Sequence, residues 1–131
     1  MPDALIECVP NFSEGRKPEV IESIISAMHV DGAYLLDWSL DSDHNRSVVT
    51  IAGPPAAVVE AAIRGAGRAA QLIDLTTQAG VHPRIGAADV IPFVPIRNIS
   101  LEQCALLARQ AGTEIWKRYQ VPVYFYEAAA A

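Results

Sequence analysis

The chain has 131 residues, of which 51% are hydrophobic and 19% are charged, and its formal net charge is −5. This length and composition are typical of one folded domain with a hydrophobic core, and they exclude a disordered protein. Nucleic-acid binding needs a clustered basic surface, whereas the basic residues here form no cluster larger than the pairs Arg16–Lys17 and Lys117–Arg118. We therefore expect no nucleic-acid partner.

The sequence also lacks signals for a membrane or for export. No apolar run approaches the roughly 20 residues of a membrane helix, and the N-terminus lacks the basic and apolar segments of a signal peptide. Cys8 and Cys104 lie in apolar runs, with no second Cys or His at metal-ligand spacing. We expect a cytoplasmic protein with two buried reduced thiols and no bound metal.

The first half of the chain predicts three strands and two helices. The apolar run Leu5–Val9 indicates a strand that is buried on both faces or central. A helix over 18–28 follows from the apolar spacing of Ile21, Ile24, Ile25 and Met28, and Pro18 suits its first turn. A strand over 33–38, a polar loop over 39–45, a β-branched strand over 47–52 and an Ala-rich helix over 56–73 come next.

Two glycines inside this second helix, Gly65 and Gly67, lower its intrinsic stability. We expect them to allow close packing of the helix on a sheet. Residues 76–86 have no clear periodicity, and residues 88–94 form the next predicted strand. Its prolines, Pro92 and Pro95, should place it at an edge or end its pairing.

Ser100 is the predicted N-cap of a third helix, with Gln103 at the capping-box position, and the helix should reach Tyr119. A short strand over 121–126 completes the order βαββαβ followed by αβ. This order predicts an α+β, ferredoxin-like sandwich with an additional C-terminal α-β, its helices on one face of the sheet. A flavodoxin-like parallel sheet is the alternative, which is disfavoured because no crossover helix fits between the second and third strands.

Three polar clusters follow predicted strand ends. In the first, residues 10–16, Asn11 or Ser13 could cap the following helix, or the freed backbone N–H groups could bind an anion. The second, Asp37–Arg46, offers carboxylate ligands but no Glu at EF-hand distance, so a solvated loop and a binding loop both stay open. Arg46 opens the next strand, where its guanidinium could bind a carboxylate such as that of glutamate.

The third cluster, residues 80–87, contains His82 before a proline. Imidazole is the usual general acid or base near neutral pH, although a lone loop histidine is often inert. His29 and His44 are weaker candidates, since His29 fits a helix C-terminus where its charge suits the dipole. Nucleophile-elbow and zinc-protease motifs are absent.

Together the three clusters resemble the signatures of the formiminotransferase family. The matching stretches are Glu7–Gly15, Asp43–Val48, His82–Ala87 continuing through Asp89–Val90 to Pro92–Pro95, and Val121–Tyr124. Their order and spacing also fit, and the resemblance covers nearly the whole chain. It implies a glutamate formimidoyltransferase, which transfers a formimino group between N-formimino-L-glutamate and tetrahydrofolate in histidine degradation, within one-carbon metabolism.

The resemblance further implies two similar ferredoxin-like subdomains that bind folate between them, with residues 1–131 as the N-terminal one. Tetrahydrofolate would be the co-substrate, and no metal is needed. The family's catalytic acid/base falls on His82. We assign carboxylate recognition to Arg46 and Arg84. The remaining substrate- or folate-binding candidates are Asn11, Ser13, Asp37, Asp41 and Asn45, with Asp37 or Asp41 orienting His82 or a substrate amine.

The chain departs from the family pattern in two ways. It ends after one subdomain with four alanines, which indicates a piece of a longer protein, and the family's main folate-binding segment lies beyond residue 131. Val81 stands where the family often has an acidic residue, and Ser39 where some members carry Asp. The alternatives are therefore a non-catalytic subdomain that binds folate or a partner, a half-enzyme that needs a second subdomain, or a purely structural domain. An uncovered apolar face would favour a homodimer.

Overall fold

The structure, a computed structural model, describes residues 3–73 and 88–120. In chain order its elements are β1 (Leu5–Cys8), β2 (Asn11–Phe12), α1 (Pro18–Ala27), β3 (Tyr34–Asp41), β4 (Arg46–Gly53), α2 (Pro55–Leu72), β5 (Ala88–Val90), β6 (Phe93–Arg97) and α3 (Leu101–Tyr119). The predicted loop 76–86 and the predicted strand 121–126 lie outside the described residues.

The described strands form one antiparallel sheet. β1 and β2 follow one another along β4, while β6 and β5 lie along β1 and β2. β3 pairs with β4 on its other side, so the order is β3, β4, β1 with β2, then β6 with β5. The mixed helix-and-sheet class is confirmed, and the parallel-sheet alternative is wrong for these strands.

The helices cover one face of this sheet at β1, β4 and β6, whereas on the same side of β3 Leu35 and Trp38 remain 46% and 37% exposed. α2 contacts β1 and β4, α3 contacts β6, and α1 packs beside α2. Every second residue of β4 from Ser47 to Gly53 is buried, which identifies the covered face. No described helix covers the other face, called here the open face, on which β4 contributes positions 46, 48, 50 and 52. The predicted stripe on α1 is confirmed, because Ile21, Ile24 and Met28 are buried.

The two glycines of α2 have a packing role that differs from the predicted one. A Cβ on Gly65 would lie 2.7 Å from the Met28 side chain, and a Cβ on Gly67 would overlap the ring of Tyr119 in α3. These glycines therefore allow α2 to approach neighbouring helical segments rather than the sheet. The periodicity within α2 does not reveal which element each glycine faces.

The ends of α3 follow the predicted pattern. Ser100 Oγ accepts a hydrogen bond from Gln103 N at 3.0 Å, and Gln103 Oε1 accepts one from Ser100 N at 2.9 Å. This reciprocal pair confirms the capping box. The helix ends at Tyr119, and Gln120 follows with a left-handed φ of 60°.

An ion-pair network joins α3 to α2. The Nη1 and Nη2 atoms of Arg118 donate to the two carboxylate oxygens of Glu60 at 2.9 and 3.1 Å, and Arg118 Nε donates to Glu114 at 2.9 Å. Arg64 also donates to Glu60, at 2.8 Å. These bonds, led by the one from Arg118, hold the pKa of Glu60 below its ordinary value.

The strand β3 is longer than the sequence predicted. The prediction ended it at Trp38 and placed a loop over 39–45, whereas β3 continues to Asp41, which lies opposite Arg46. Asn45 closes the following turn with φ 51°, a left-handed conformation that asparagine tolerates. The prediction was wrong here because cross-strand pairing with β4 extends β3 through its polar end.

Candidate functional site

The first two polar clusters lie against each other. Gly15 N donates to Asn45 Oδ1 at 2.9 Å, and Arg16 Nε donates to the Ser42 carbonyl oxygen at 2.9 Å. The loop after β2 is thereby fixed to the turn between β3 and β4. Sequence motifs about thirty residues apart form one surface in the folded chain.

The close approach of these loops depends on Gly15. A Cβ at this position would overlap the backbone of Arg46 and the carbonyl oxygen of Asp41. Any other residue would push the loop away from the turn, so a glycine is required for steric reasons. Its φ is not in the left-handed region, and conformational freedom is not the explanation.

Glu14 organises the entry to α1. It is only 6% exposed, and its Oε2 accepts hydrogen bonds from Arg16 N at 2.9 Å and Lys17 N at 3.0 Å. The predicted cap by Asn11 or Ser13 is wrong, since Lys17 is the N-cap residue and no side chain caps it. The Asn11 amide instead donates to the Val9 carbonyl at 3.0 Å.

This arrangement also bears on the expected anion site. The backbone N–H groups of Gly15, Arg16 and Lys17 already donate to Asn45 or Glu14. They are therefore not free to bind an anion. A carboxylate of the chain itself occupies this position, which is the favourable place for negative charge beside a helix N-terminus. Glu14 was not among the predicted site residues, although its place just before a predicted helix was a usable signal.

Two buried serines lie near the contact between the loop after β2 and the β3–β4 turn, called here the junction. Ser13 is 0% exposed and has an interaction partner, and Ser47 is 1% exposed. Ser47 lies opposite Phe12, on the covered face of β4. Its Oγ has no hydrogen-bond partner among the described residues. An unsatisfied buried hydroxyl costs about 1–3 kcal/mol. Ser47 was not among the predicted site residues, because it begins a β-branched strand, where serine is an ordinary residue.

The carboxylate of Asp41 is engaged within its own turn. Oδ1 accepts from Asp43 N at 3.1 Å and from His44 N at 3.2 Å, and Oδ2 lies 2.7 Å from His44 Nδ1. These contacts, the side-chain bond to His44 foremost, hold the pKa of Asp41 below its ordinary value. Both side chains are exposed. Asp41 and His44 therefore form a pair at the outer end of the hairpin.

The sheet register places four candidate residues on the open face. Asp41 lies directly opposite Arg46, while Asn11 and Asp37 lie opposite the β4 positions 48 and 50. Directly paired residues of antiparallel strands project to the same side. Asn11, Asp37, Asp41 and Arg46 therefore share the face that lacks a described helix. Asn45, in the turn, contacts the β2–α1 loop through Gly15.

The strand β5, which follows the third cluster in the sequence, joins the sheet next to the first and second clusters. His82 and Arg84 lie outside the described residues. β5 begins at Ala88, which is paired with Phe12, and Phe12 is paired on its other side with Ser47. The short strand β2 therefore lies between the start of β4 and the start of β5. The described parts of all three motif regions meet at one end of the sheet.

Other candidate chemistry has less support in the described part of the chain. There, no group of three or more His, Cys, Asp or Glu residues could hold a metal ion. None of the helices in residues 3–73 and 88–120 combines the length and hydrophobicity needed to cross a bilayer.

Cys8 and Cys104 are both buried free thiols, and burial raises the pKa of each. Their burial confirms the prediction that they lie in the core.

Comparison with known proteins identifies the family. Residues 5–131 match the family described as the formiminotransferase domain, N-terminal subdomain. Formimidoyltransferase-cyclodeaminase of Mus musculus is 47% identical over 127 residues, which are 96% of this chain and 24% of that protein. Glutamate formimidoyltransferase of Thermoplasma acidophilum is 45% identical over 128 residues, which are 97% of this chain and 42% of that protein.

A further relative is the glutamate formimidoyltransferase of Streptococcus pyogenes, 41% identical over 127 residues. The alignment covers 96% of this chain and 42% of that enzyme. The chain thus spans less than half the length of each of these three curated relatives. The resemblance of the three motifs is confirmed, and the chain belongs to the formiminotransferase family, in which it matches the N-terminal subdomain.

Proposed function

We propose that this chain forms one side of the active site of a glutamate formimidoyltransferase, which transfers a formimino group between N-formimino-L-glutamate and tetrahydrofolate in histidine degradation. The observation that carries the proposal is the junction at β2. There the first motif contacts the second through Gly15 and Asn45. The strand β5, which follows the third motif in the sequence, pairs with β2 at the same place. Relatives that are 41–47% identical to this chain over almost its whole length carry formimidoyltransferase names.

His82 is the proposed general acid and base. In the forward direction a nitrogen of tetrahydrofolate attacks the formimino carbon, and His82 accepts the proton that this nitrogen loses. The same imidazole then donates the proton to the glutamate nitrogen as its bond to carbon breaks. A positioned imidazole typically contributes about 100- to 10,000-fold to such a reaction. Holding both substrates in line supplies further acceleration through proximity.

The open-face residues suit the polar parts of these substrates. Arg46, and Arg84 by the family motif, are the proposed carboxylate ligands, because a guanidinium can bind a carboxylate through two parallel hydrogen bonds. Asn11 would orient the substrate, and Asp37 or Asp41 would orient His82 or a substrate amine. Ser13, which is 0% exposed, would contribute only by supporting the loop beside Asn11. Asn45 would act by fixing the loop after β2, which contains Ser13. The amide, guanidinium and carboxylate groups of this set fit the pterin and glutamate portions of a folate co-substrate, without a metal.

The open face also suits a second subdomain. Tyr34 and Val94 lie in one row across it and are 68% and 43% exposed. A second subdomain on this face would cover them and enclose folate between two sheets. The strand order supports a ferredoxin-like arrangement for this half, with α3 as an additional element. A homodimer and a cytoplasmic location belong to the same proposal.

The second candidate function is non-catalytic binding of folate or of a partner through the same face. The exposed Tyr34 and Val94 favour it, since apolar side chains on a sheet surface often mark a docking site. The experiment that separates the two is an assay of formimino transfer with the complete protein, run beside equilibrium binding of tetrahydrofolate. Transfer that depends on both substrates supports the enzyme. Folate binding without transfer supports the binding module instead.

A further inference from the structure

Arg16 is a cation held in a defined position at the junction. Its Nε donates to the Ser42 carbonyl oxygen at 2.9 Å, across the gap between the first two motifs. Its backbone N–H is bonded to Glu14 at 2.9 Å. The residue is therefore held at its backbone N–H and at its Nε while it remains exposed. An anchored guanidinium loses less conformational entropy on binding a ligand than a free one does.

The nearby carboxylates do not neutralise this guanidinium. Among the described residues, no carboxylate oxygen lies within 4 Å of an Arg16 side-chain nitrogen, which is the distance that defines an ion pair. The Oε2 atom of Glu14 accepts hydrogen bonds from two backbone N–H groups. The carboxylate of Asp41 is hydrogen-bonded within the β3–β4 turn, to a backbone N–H and to the His44 side chain. The two Nη groups of Arg16 consequently have no described acceptor, although the protein as a whole is acidic.

We propose that Arg16 binds a glutamate carboxylate of a substrate through its two Nη groups, while its Nε remains bonded to Ser42. This inference rests on the proposed function, since both N-formimino-L-glutamate and the tail of tetrahydrofolate carry glutamate carboxylates. The fork of a guanidinium matches the spacing of the two carboxylate oxygens. Arg16 is thus a specificity-determining residue, and it takes no part in proton transfer.

The test is steady-state transfer by the complete protein carrying Arg16→Gln, with Lys17→Gln as the matched control. Lys17 is the next residue and is also exposed, and its side chain has no hydrogen bond or ion pair among the described residues. We expect Arg16→Gln to raise one KM by about tenfold or more, because a hydrogen bond to a charged group contributes that much affinity. The kcat should stay near the wild-type value, as for the loss of uniform binding.

The substrate whose KM rises identifies the source of the carboxylate. A change for N-formimino-L-glutamate assigns Arg16 to that substrate, and a change for tetrahydrofolate assigns it to the folate tail. Arg16→Lys retains the charge without the fork and should give an intermediate KM. If the two KM values of Arg16→Gln equal those of Lys17→Gln, or if Arg16→Gln lowers kcat alone, the inference is wrong.

A binding measurement separates this inference from the proposed function. The nuclear magnetic resonance signal of the Arg16 Nε–H group should move when wild-type protein is titrated with L-glutamate or folate, and Arg16→Gln identifies that signal by its loss. A shift in a protein that shows no formimino transfer would refute the proposed function and keep the Arg16 site. A signal that stays fixed with both ligands would overturn the Arg16 site, whether or not transfer occurs.

Discussion

The amide of Gly15 donates a hydrogen bond to Asn45 Oδ1 at 2.9 Å, and this contact joins two motifs that are thirty residues apart. Asn45 adopts φ 51°, so one residue both closes the β3–β4 turn and holds the loop after β2. The sequence motifs Asn-Phe-Ser-Glu-Gly and Asp-His-Asn-Arg are therefore two halves of one structural unit. The polar residues proposed to bind substrate depend on that unit for their positions.

Replacing Asn45 separates its two roles. Asn45→Gly keeps a residue that tolerates positive φ but removes the acceptor of Gly15 N, which should lower the free energy of unfolding by about 1–3 kcal/mol. Asn45→Ala should cost a further ~1 kcal/mol because of the left-handed backbone. Denaturant unfolding monitored by circular dichroism measures both. An Asn45→Gly variant as stable as the wild type would show that the hydrogen bond does not stabilise the junction.

The two glycines of α2 should respond differently to alanine. Alanine gains about 1 kcal/mol of helix propensity at either site. In Gly65→Ala the nearest atoms to the new Cβ belong to the flexible Met28 side chain, so the net effect on stability should be small. Gly67→Ala meets the ring of Tyr119 and should destabilise the protein by about 1–3 kcal/mol.

Thermal unfolding of the two single variants tests this difference. The double variant Gly67→Ala with Tyr119→Ala supplies the control, because removal of the ring should relieve the overlap and make the two changes non-additive. Equal melting temperatures for Gly65→Ala and Gly67→Ala would contradict the packing that the structure describes.

The ion pair between Arg118 and Glu60 should stabilise the contact of α2 with α3 in a pH-dependent way. The pKa of Glu60 is lowered in the folded protein from its ordinary 4.5, chiefly by Arg118. The stabilisation is therefore complete above pH 4.5 and is lost as the pH falls through the lower folded-state value. Arg118→Gln should cost about 1 kcal/mol at neutral pH, a modest amount because the pair is partly exposed.

Urea unfolding of wild type and Arg118→Gln at neutral and at strongly acidic pH measures this effect. The difference between the two proteins should shrink in acid. Lys117→Gln is the control, since Lys117 has no ion pair among the described residues and its removal should give no such trend. A difference for Arg118→Gln that is the same at both pH values would refute the role assigned to Glu60.

Ser47→Ala should leave the stability unchanged or raise it. The Oγ of Ser47 is buried without a partner in the described residues, so its removal eliminates a desolvation cost of about 1–3 kcal/mol. Differential scanning calorimetry checks the expected direction. A fall in melting temperature would mean that the hydroxyl stabilises the fold, against this prediction.

Local patterns predicted most of the elements correctly. The apolar spacing of α1, the capping box of α3 and the β-branched run of β4 each reflect interactions within a few residues, which the sequence displays directly. The single strand predicted over 88–94 is instead two strands, β5 and β6, which Pro92 separates as a break in pairing, while Pro95 lies within β6 opposite Ile6. In the candidate site, Asn11, Asp37, Asp41 and Arg46 were named from the polar clusters and the family resemblance, and the register brings them to one face.

Long-range contacts account for the errors. The bond from Gly15 to Asn45 and that from Arg118 to Glu60 join residues 30 and 58 positions apart, and no local periodicity encodes them. Ser13 matched the pattern of a helix cap, yet the carboxylate of Glu14 bonds the N–H groups at the entry to α1. The polar end of β3 resembled a loop because its partner strand, rather than its own composition, keeps it extended.

The catalytic role of His82 is tested most directly by formimino transfer from N-formimino-L-glutamate to tetrahydrofolate, measured with the complete protein and with its His82→Ala variant. His29→Ala is the control, because His29 is an exposed histidine outside the proposed site. If His82 is the general acid and base, His82→Ala should lower kcat by about 100- to 10,000-fold while the unfolding free energy stays unchanged, and His29→Ala should retain activity. Near-normal turnover by a folded His82→Ala variant would contradict the role proposed for His82.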